Sequence, residues 1–150
     1  MTEQEFWSII DLLDWDEEGD DDAVLQPAVE ALSRRPAAEI QAFEDILSRK
    51  LHALDTKVHA QNIGTDAYIS EDEFFSADNF LYARCVVVAN GQELYETVLS
   101  DPARFPRDLE FEAILSLAYA AYELKTSEEC PGFETSVSYE TFSNRAGWAS

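Results

Sequence analysis

Residues 77–89 are apolar on nearly every face, with Phe80, Leu81, Tyr82, Cys85, Val86, Val87 and Val88 leaving no continuous polar side for water. A helix of that kind is stable only when other elements surround it, so the rest of the chain has to build a bundle around this segment. Three consecutive valines would also suit a buried strand. Thirteen residues running from the capping residue Ser76 to Asn90-Gly91 favour a helix with a left-handed C-cap.

The surrounding helices are legible as apolar stripes. Thr2 with Glu5 forms a capping box, and Phe6, Ile9, Ile10 and Leu13 recur at helical spacing, widened by Trp7 and Leu12, predicting a helix over 2–13. An acidic loop follows over 14–22, and its last aspartates cap a second helix carrying Val24, Ala28, Ala31 and Leu32. Pro27 then fits only in that helix's first turn. Pro36 opens a third helix to about residue 56, striped by Ile40, Phe43, Ile46, Leu47, Leu51 and Leu54. Residues 92–99 form a short helix, and Phe111, Ile114, Leu115, Ala118 and Tyr122 mark the last long one, ending near 126. The aromatic residues Phe133, Tyr139, Phe142 and Trp148 predict a tail packed against the bundle. The expected architecture is an all-α single domain over residues 1–150, five to six helices with that tail alongside.

Charge sets the class of partner. There are 31 Asp and Glu against 10 Lys and Arg, a formal net charge of -21, with ten acids and no base over residues 1–22. The potentials of so many like charges add at long range, which disfavours direct contact with nucleic-acid phosphate and favours basic protein faces. With 46% apolar residues the chain can nonetheless bury a core. No apolar run approaches the roughly 20 residues of a bilayer span, and no basic leader precedes the first helix, so a soluble cytoplasmic protein is expected. Cys85 and Cys130 form no C-x-x-C pair and read as reduced thiols.

Several strings together resemble a bacterial family, DUF4240: Phe6-Trp7, Ala42-Phe43-Glu44, Ala53-Leu54-Asp55-Thr56, Phe80-Leu81-Tyr82-Ala83-Arg84, Asp108-Leu109-Glu110, and the closing Ser138-Tyr139-Glu140, Ser143-Asn144-Arg145 and Gly147-Trp148. The resemblance covers almost the whole chain. It implies a small bacterial domain and carries over no catalytic residues.

Three constellations bear on function. The acids Asp14, Asp16, Glu17, Glu18, Asp20, Asp21 and Asp22 partly follow a calcium-loop spacing, with Gly19 at position six, but Leu25 stands where a bidentate Glu is needed. They read as a solvated loop and helix cap that presents negative charge to a partner, with no metal assigned. His52, Asp55 and His59 would share a helix face without the spacing of a known metal motif. Nearby Lys50 and Lys57 argue against a cation there. Arg84 is the only formal charge between Asn79 and Gln92. Buried there, it requires partners, either as an Arg-carboxylate clamp to the tail around Tyr139 and Asn144 or as an anion-recognising group at the base of a pocket with Tyr82 and Tyr139.

Arg34, Arg35, Arg49, Lys50 and Lys57 cluster on the third helix, where i,i+4 pairs with Glu39, Glu44 and Asp45 are expected; a self-association face is the lesser alternative. No Ser-His-Asp order, Walker loop or dinucleotide glycine pattern is present, so neither enzyme activity nor a cofactor has sequence support. The favoured expectation is a non-enzymatic module, such as an immunity or inhibitor protein, that engages a basic protein and neither nucleic acid nor membrane. The alternatives are a nucleic-acid mimic and a small-ligand or enzyme site around Arg84 and the tyrosines.

Overall fold

The computed structural model describes residues 1–149. In chain order the helices are α1 (Glu3–Ile10), α2 (Asp21–Ser33), α3 (Ala37–Ala53), α4 (Lys57–Ala60), α5 (Ala77–Ala89), α6 (Gln92–Ser100), α7 (Leu117–Thr126) and α8 (Arg145–Trp148), with 3-10 turns at Trp15–Glu17, Pro102–Arg104 and Glu112–Ser116. Among the described residues there is no strand, and six helices exceed a single turn, so the domain is an all-helical bundle. Among the described residues no helix is long and apolar enough to cross a membrane.

α5 lies at the centre. The Ser76 hydroxyl accepts the Asn79 N–H at 3.1 Å to start it, and the helix buries Phe80, Leu81, Cys85 and all three valines. Contacts to α3, α6 and the Glu112–Ser116 turn enclose it, while α2 lies along α7. The left-handed turn that follows sits on Gly91, at φ +104°, not on Asn90 at φ -91°.

Elsewhere the boundaries shift for identifiable reasons. Thr2 and Glu5 exchange both capping-box hydrogen bonds, at 3.1 and 3.0 Å. α1 nonetheless stops before Leu13, because Leu12 and Leu13 donate three residues back to Ile9 and Ile10 and tighten the chain; Leu12 then faces water. Pro27 stands beyond the first turn of α2, where it leaves the Ala23 carbonyl without a helical donor at a cost of about 3 kcal/mol. Burial of Val24, Leu25, Ala28, Val29 and Leu32 outweighs that local cost. α3 ends at Ala53, short of residue 56, because Asp55 turns into the interior and Thr56 caps α4 by accepting the His59 N–H at 3.1 Å. The expected last helix begins as the Glu112–Ser116 turn, held where the Phe111 N–H donates to the Tyr82 carbonyl at 3.1 Å.

The basic cluster on α3 is divided between two helices. Arg35 pairs with Glu39 and Arg49 with Asp45 along α3, while Arg35 also reaches Glu5 and Lys50 reaches Glu3 on α1. Glu44 departs from expectation: it is buried and takes no part in an ion pair among the described residues. Cys85 and Cys130 are both free thiols.

Candidate functional site

Beyond α7 the chain returns across the bundle as a strap. Phe133, Thr135, Val137 and Tyr139 are partly buried and alternate with exposed Glu134, Ser136 and Ser138, as an extended segment laid on a surface would be. One polar row of α3 holds it. The Gln41 amide donates to the Glu134 carbonyl, the Ser136 N–H donates to Asp45 at 2.6 Å, and His52 Nδ1 meets the Ser138 carbonyl at 3.0 Å.

Arg84 and Asp55, each 0% exposed, complete the attachment. Arg84 Nη1 donates to the Leu51 and Tyr139 carbonyls at 2.8 and 2.9 Å, and Nη2 to Thr141 Oγ1 at 2.9 Å. Its guanidinium lies 4.7 Å from the Phe80 ring centre. Desolvation pulls its pKa down to about 10, opposed by the negative charge of Asp55, so it stays protonated at neutral pH. Asp55 accepts from the Phe142 and Asn144 N–H groups at 3.1 and 3.0 Å and from Trp148 Nε1 at 2.7 Å. The strap is thus gripped at the Tyr139 carbonyl and the Thr141 hydroxyl by a cation and at the Phe142 and Asn144 N–H groups by an anion. Among the described residues no carboxylate bonds Arg84 directly; the Leu51 carbonyl of α3, the Tyr139 carbonyl and the Thr141 hydroxyl take the place expected for one.

The four residues considered as a pocket separate into two places. Tyr139 meets Arg84 through its backbone, and Asn144 bonds Asp55 and the His52 carbonyl. Tyr82 lies elsewhere, its phenol raised in pKa by burial and then by Glu112. Asp55, His52 and His59 also diverge: His59 is buried with Nε2 on the Val98 carbonyl at 2.9 Å and Nδ1 on Thr56 Oγ1 at 2.6 Å. Its pKa is lowered by burial, which favours this neutral ring.

The strap also roofs a cleft of about 370 Å³ whose wall includes Glu44, Ser48, Tyr119 and Tyr139. Burial raises the Glu44 pKa to about 7. The sequence reading missed this acid, treating it as a surface partner for the bases of α3. Its place at 44, one residue after buried Phe43 and four before buried Ser48, was the available signal.

On another part of the molecule the acidic loop is built from its own backbone. Asp14 accepts the Asp16 N–H at 3.2 Å, Asp20 caps α2 through the Ala23 N–H at 3.2 Å, and the Asp14 N–H donates to the Val24 carbonyl at 2.9 Å. Asp16, Glu17, Glu18, Asp20, Asp21 and Asp22 all face solvent. The cation-loop spacing breaks because α2 already begins at Asp21 and Leu25 is buried in the core. Among the described residues no three His, Cys, Asp or Glu side chains gather as a metal site.

Beside this loop runs a groove of about 340 Å³ with Trp15, Val86, Leu109 and Phe111 as its apolar part and Glu18, Asp21 and Glu110 at its edge. Trp15 packs 5.1 Å from Phe111 and is still 37% exposed; Leu109 is 57% exposed. Just before Leu109, Asp108 stands at φ +59° and its Oδ1 accepts the Thr65 N–H at 2.7 Å. Gly64 permits that approach, since a Cβ there would stand 2.5 Å from the same oxygen.

Bundle, strap and acidic groove define an all-helical domain that clamps its own C-terminal segment with buried charge. The chain belongs to the family described as Protein of unknown function (DUF4240), whose model matches residues 1–124. The match includes the acidic loop, Glu44, Asp55 and Arg84 and ends before the strap, so the closing strings of the resemblance lie outside it. No curated protein and no solved structure matches the chain.

Proposed function

We propose that the protein is a non-enzymatic binding module whose acidic loop and adjoining groove receive a basic segment of a partner protein. One observation carries this reading: no carboxylate between Asp14 and Asp22 is in an ion pair among the described residues, whereas Arg35, Arg49 and Lys50 are paired on or beside α3. Unopposed charge of one sign speeds encounter with the opposite sign and orients it. Trp15 and Leu109, backed by buried Phe111, offer the apolar contact that charge alone lacks, and an aromatic anchor ringed by polar groups is the usual composition of a binding hot spot. Arg84, by contrast, is 0% exposed, with both terminal nitrogens bonded within the chain and only Nε, itself buried, without a partner, so it presents no group at the surface to a ligand. An immunity or inhibitor protein for a cationic target is the concrete form of the proposal.

Binding of two synthetic lysine-rich peptides, with and without a central leucine, tests it. Replacing Asp16, Glu17, Glu18 and Asp21 by their amides removes four charges while keeping the capping residues Asp14 and Asp20. The native protein should prefer the leucine-bearing peptide and lose affinity at least tenfold between about 50 and 500 mM salt. The amide variant should bind weakly at both. Equal binding by the two proteins would remove the loop from the account.

A further inference from the structure

We propose that the cleft above Glu44 is a binding site for a primary ammonium group, supplied by a free alkylamine or by the tip of a lysine side chain. The cleft lies between α3, α7 and the strap, and its residues include Glu44, Ser48, Tyr119, Phe133, Tyr139 and Glu140. Glu44 is 2% exposed, and its Oε1 is buried with no hydrogen-bond partner. An unpaired carboxyl oxygen in such a place is unfavourable unless something meets it. None of the four ion pairs among the described residues reaches it, although Arg49 and Lys50 stand only a turn and a half further along α3.

The chemistry of the walls selects the ligand. The formal charges lining the cleft are Glu44 and Glu140, both acids, so an anion is repelled. Tyr119, Phe133 and Tyr139 make the lining aromatic, a composition that suits a cation, and Ser48 adds a hydroxyl acceptor. A ligand with N–H groups can hydrogen-bond the Glu44 carboxyl at the cleft wall as well as neutralise it, which favours a primary ammonium over a quaternary one. A volume of about 370 Å³ accommodates a four-carbon stem behind that head. The titratable groups facing Glu44 are Tyr119 on α7 and Tyr139 and Glu140 on the strap. Burial raises both phenols, Tyr139 to about 12, so they remain protonated where Glu44 titrates. The cleft shares no lining residue with the groove beside the acidic loop, so this inference stands or falls apart from the proposed function.

Calorimetric titration of the full chain with butylammonium and with N-acetyl-lysine methylamide tests the site. Both should bind at one saturable site; binding of the lysine derivative alone would identify a peptide as the source of the same group. Glu44→Gln should weaken binding at least tenfold, and Asp72→Asn, which removes an exposed charge outside the cleft, should leave it unchanged. Because Glu44 holds its proton to about pH 7, affinity should be about tenfold lower at pH 6 than at pH 8. The unmutated protein provides a second readout, since saturating amine should lower the Glu44 carboxyl pKa followed by carbon-13 NMR. Absence of saturable binding, an equal loss in both variants, or a Glu44 titration indifferent to amine would overturn the proposal.

Discussion

Arg84 and Asp55 are opposite charges that grip one short stretch of backbone from its two chemical sides. Removing either leaves buried groups without partners, which costs more than the net worth of the bonds themselves. Arg84→Leu strands the Leu51 and Tyr139 carbonyls and leaves the Thr141 hydroxyl only its bond to the Ala77 carbonyl, and should lower unfolding stability by about 3 kcal/mol in a denaturant titration. An unchanged unfolding curve would contradict the clamp. Glu44 makes the opposite prediction. Its folded pKa, about 7, lies above its ordinary value of 4.5, so the folded state holds a proton that the unfolded state has lost. The stability this contributes is complete below about pH 4.5 and disappears as pH rises through 7, on the order of 3 kcal/mol in all. Glu44→Gln should flatten that part of the pH profile; an unaltered slope would show that another group titrates there.

The strap is the element on which these residues act, and α8 is its terminal anchor. Gly147 sits so close to the end of α3 that a Cβ would stand 2.8 Å from the Asp55 carbonyl and 2.8 Å from Thr56 Cγ2. Gly147→Ala should therefore loosen α8, at about 1–3 kcal/mol, and speed hydrogen exchange at the Phe142 and Asn144 amides while α5 keeps its protection. Unchanged exchange at those two amides would mean that the anchor lies elsewhere. This element also marks the limit of what the sequence discloses. α5 was readable to the residue because its caps and its all-round apolarity are local properties. The packed tail was readable from its aromatics alone, and Phe142 and Trp148 do meet, with ring centres 4.5 Å apart. The stop of α3 at Ala53 was not readable, because its cause is an aspartate paired with amides 87 and 89 residues away. Asp55 looked like a face-mate of His52 and His59 for the same reason: helical spacing was extended through a break that only the distant tail creates. Pro27 erred in the other direction, since a local penalty is visible in sequence and the burial that overrides it is not.

Over the whole molecule, a net charge of -21 has to be tolerated by the folded state before it can serve any partner. Among the described residues the four ion pairs concentrate on or beside α3 and at its contact with α1, which leaves the loop between α1 and α2 as the most heavily charged stretch without compensation. Self-repulsion there is screened by salt, so moderate salt should raise the melting temperature, and the variant with four loop amides should gain less from it. Equal gains in the two proteins would place the repulsion elsewhere. The most direct measurement of the central claim is capture from an extract of the native host on immobilised protein, comparing the native loop with the four-amide loop across a salt gradient. The native loop should retain a basic protein that leaves as salt rises and that the amide loop fails to hold. Retention of the same proteins by both loops, or of proteins without a basic bias, would contradict it.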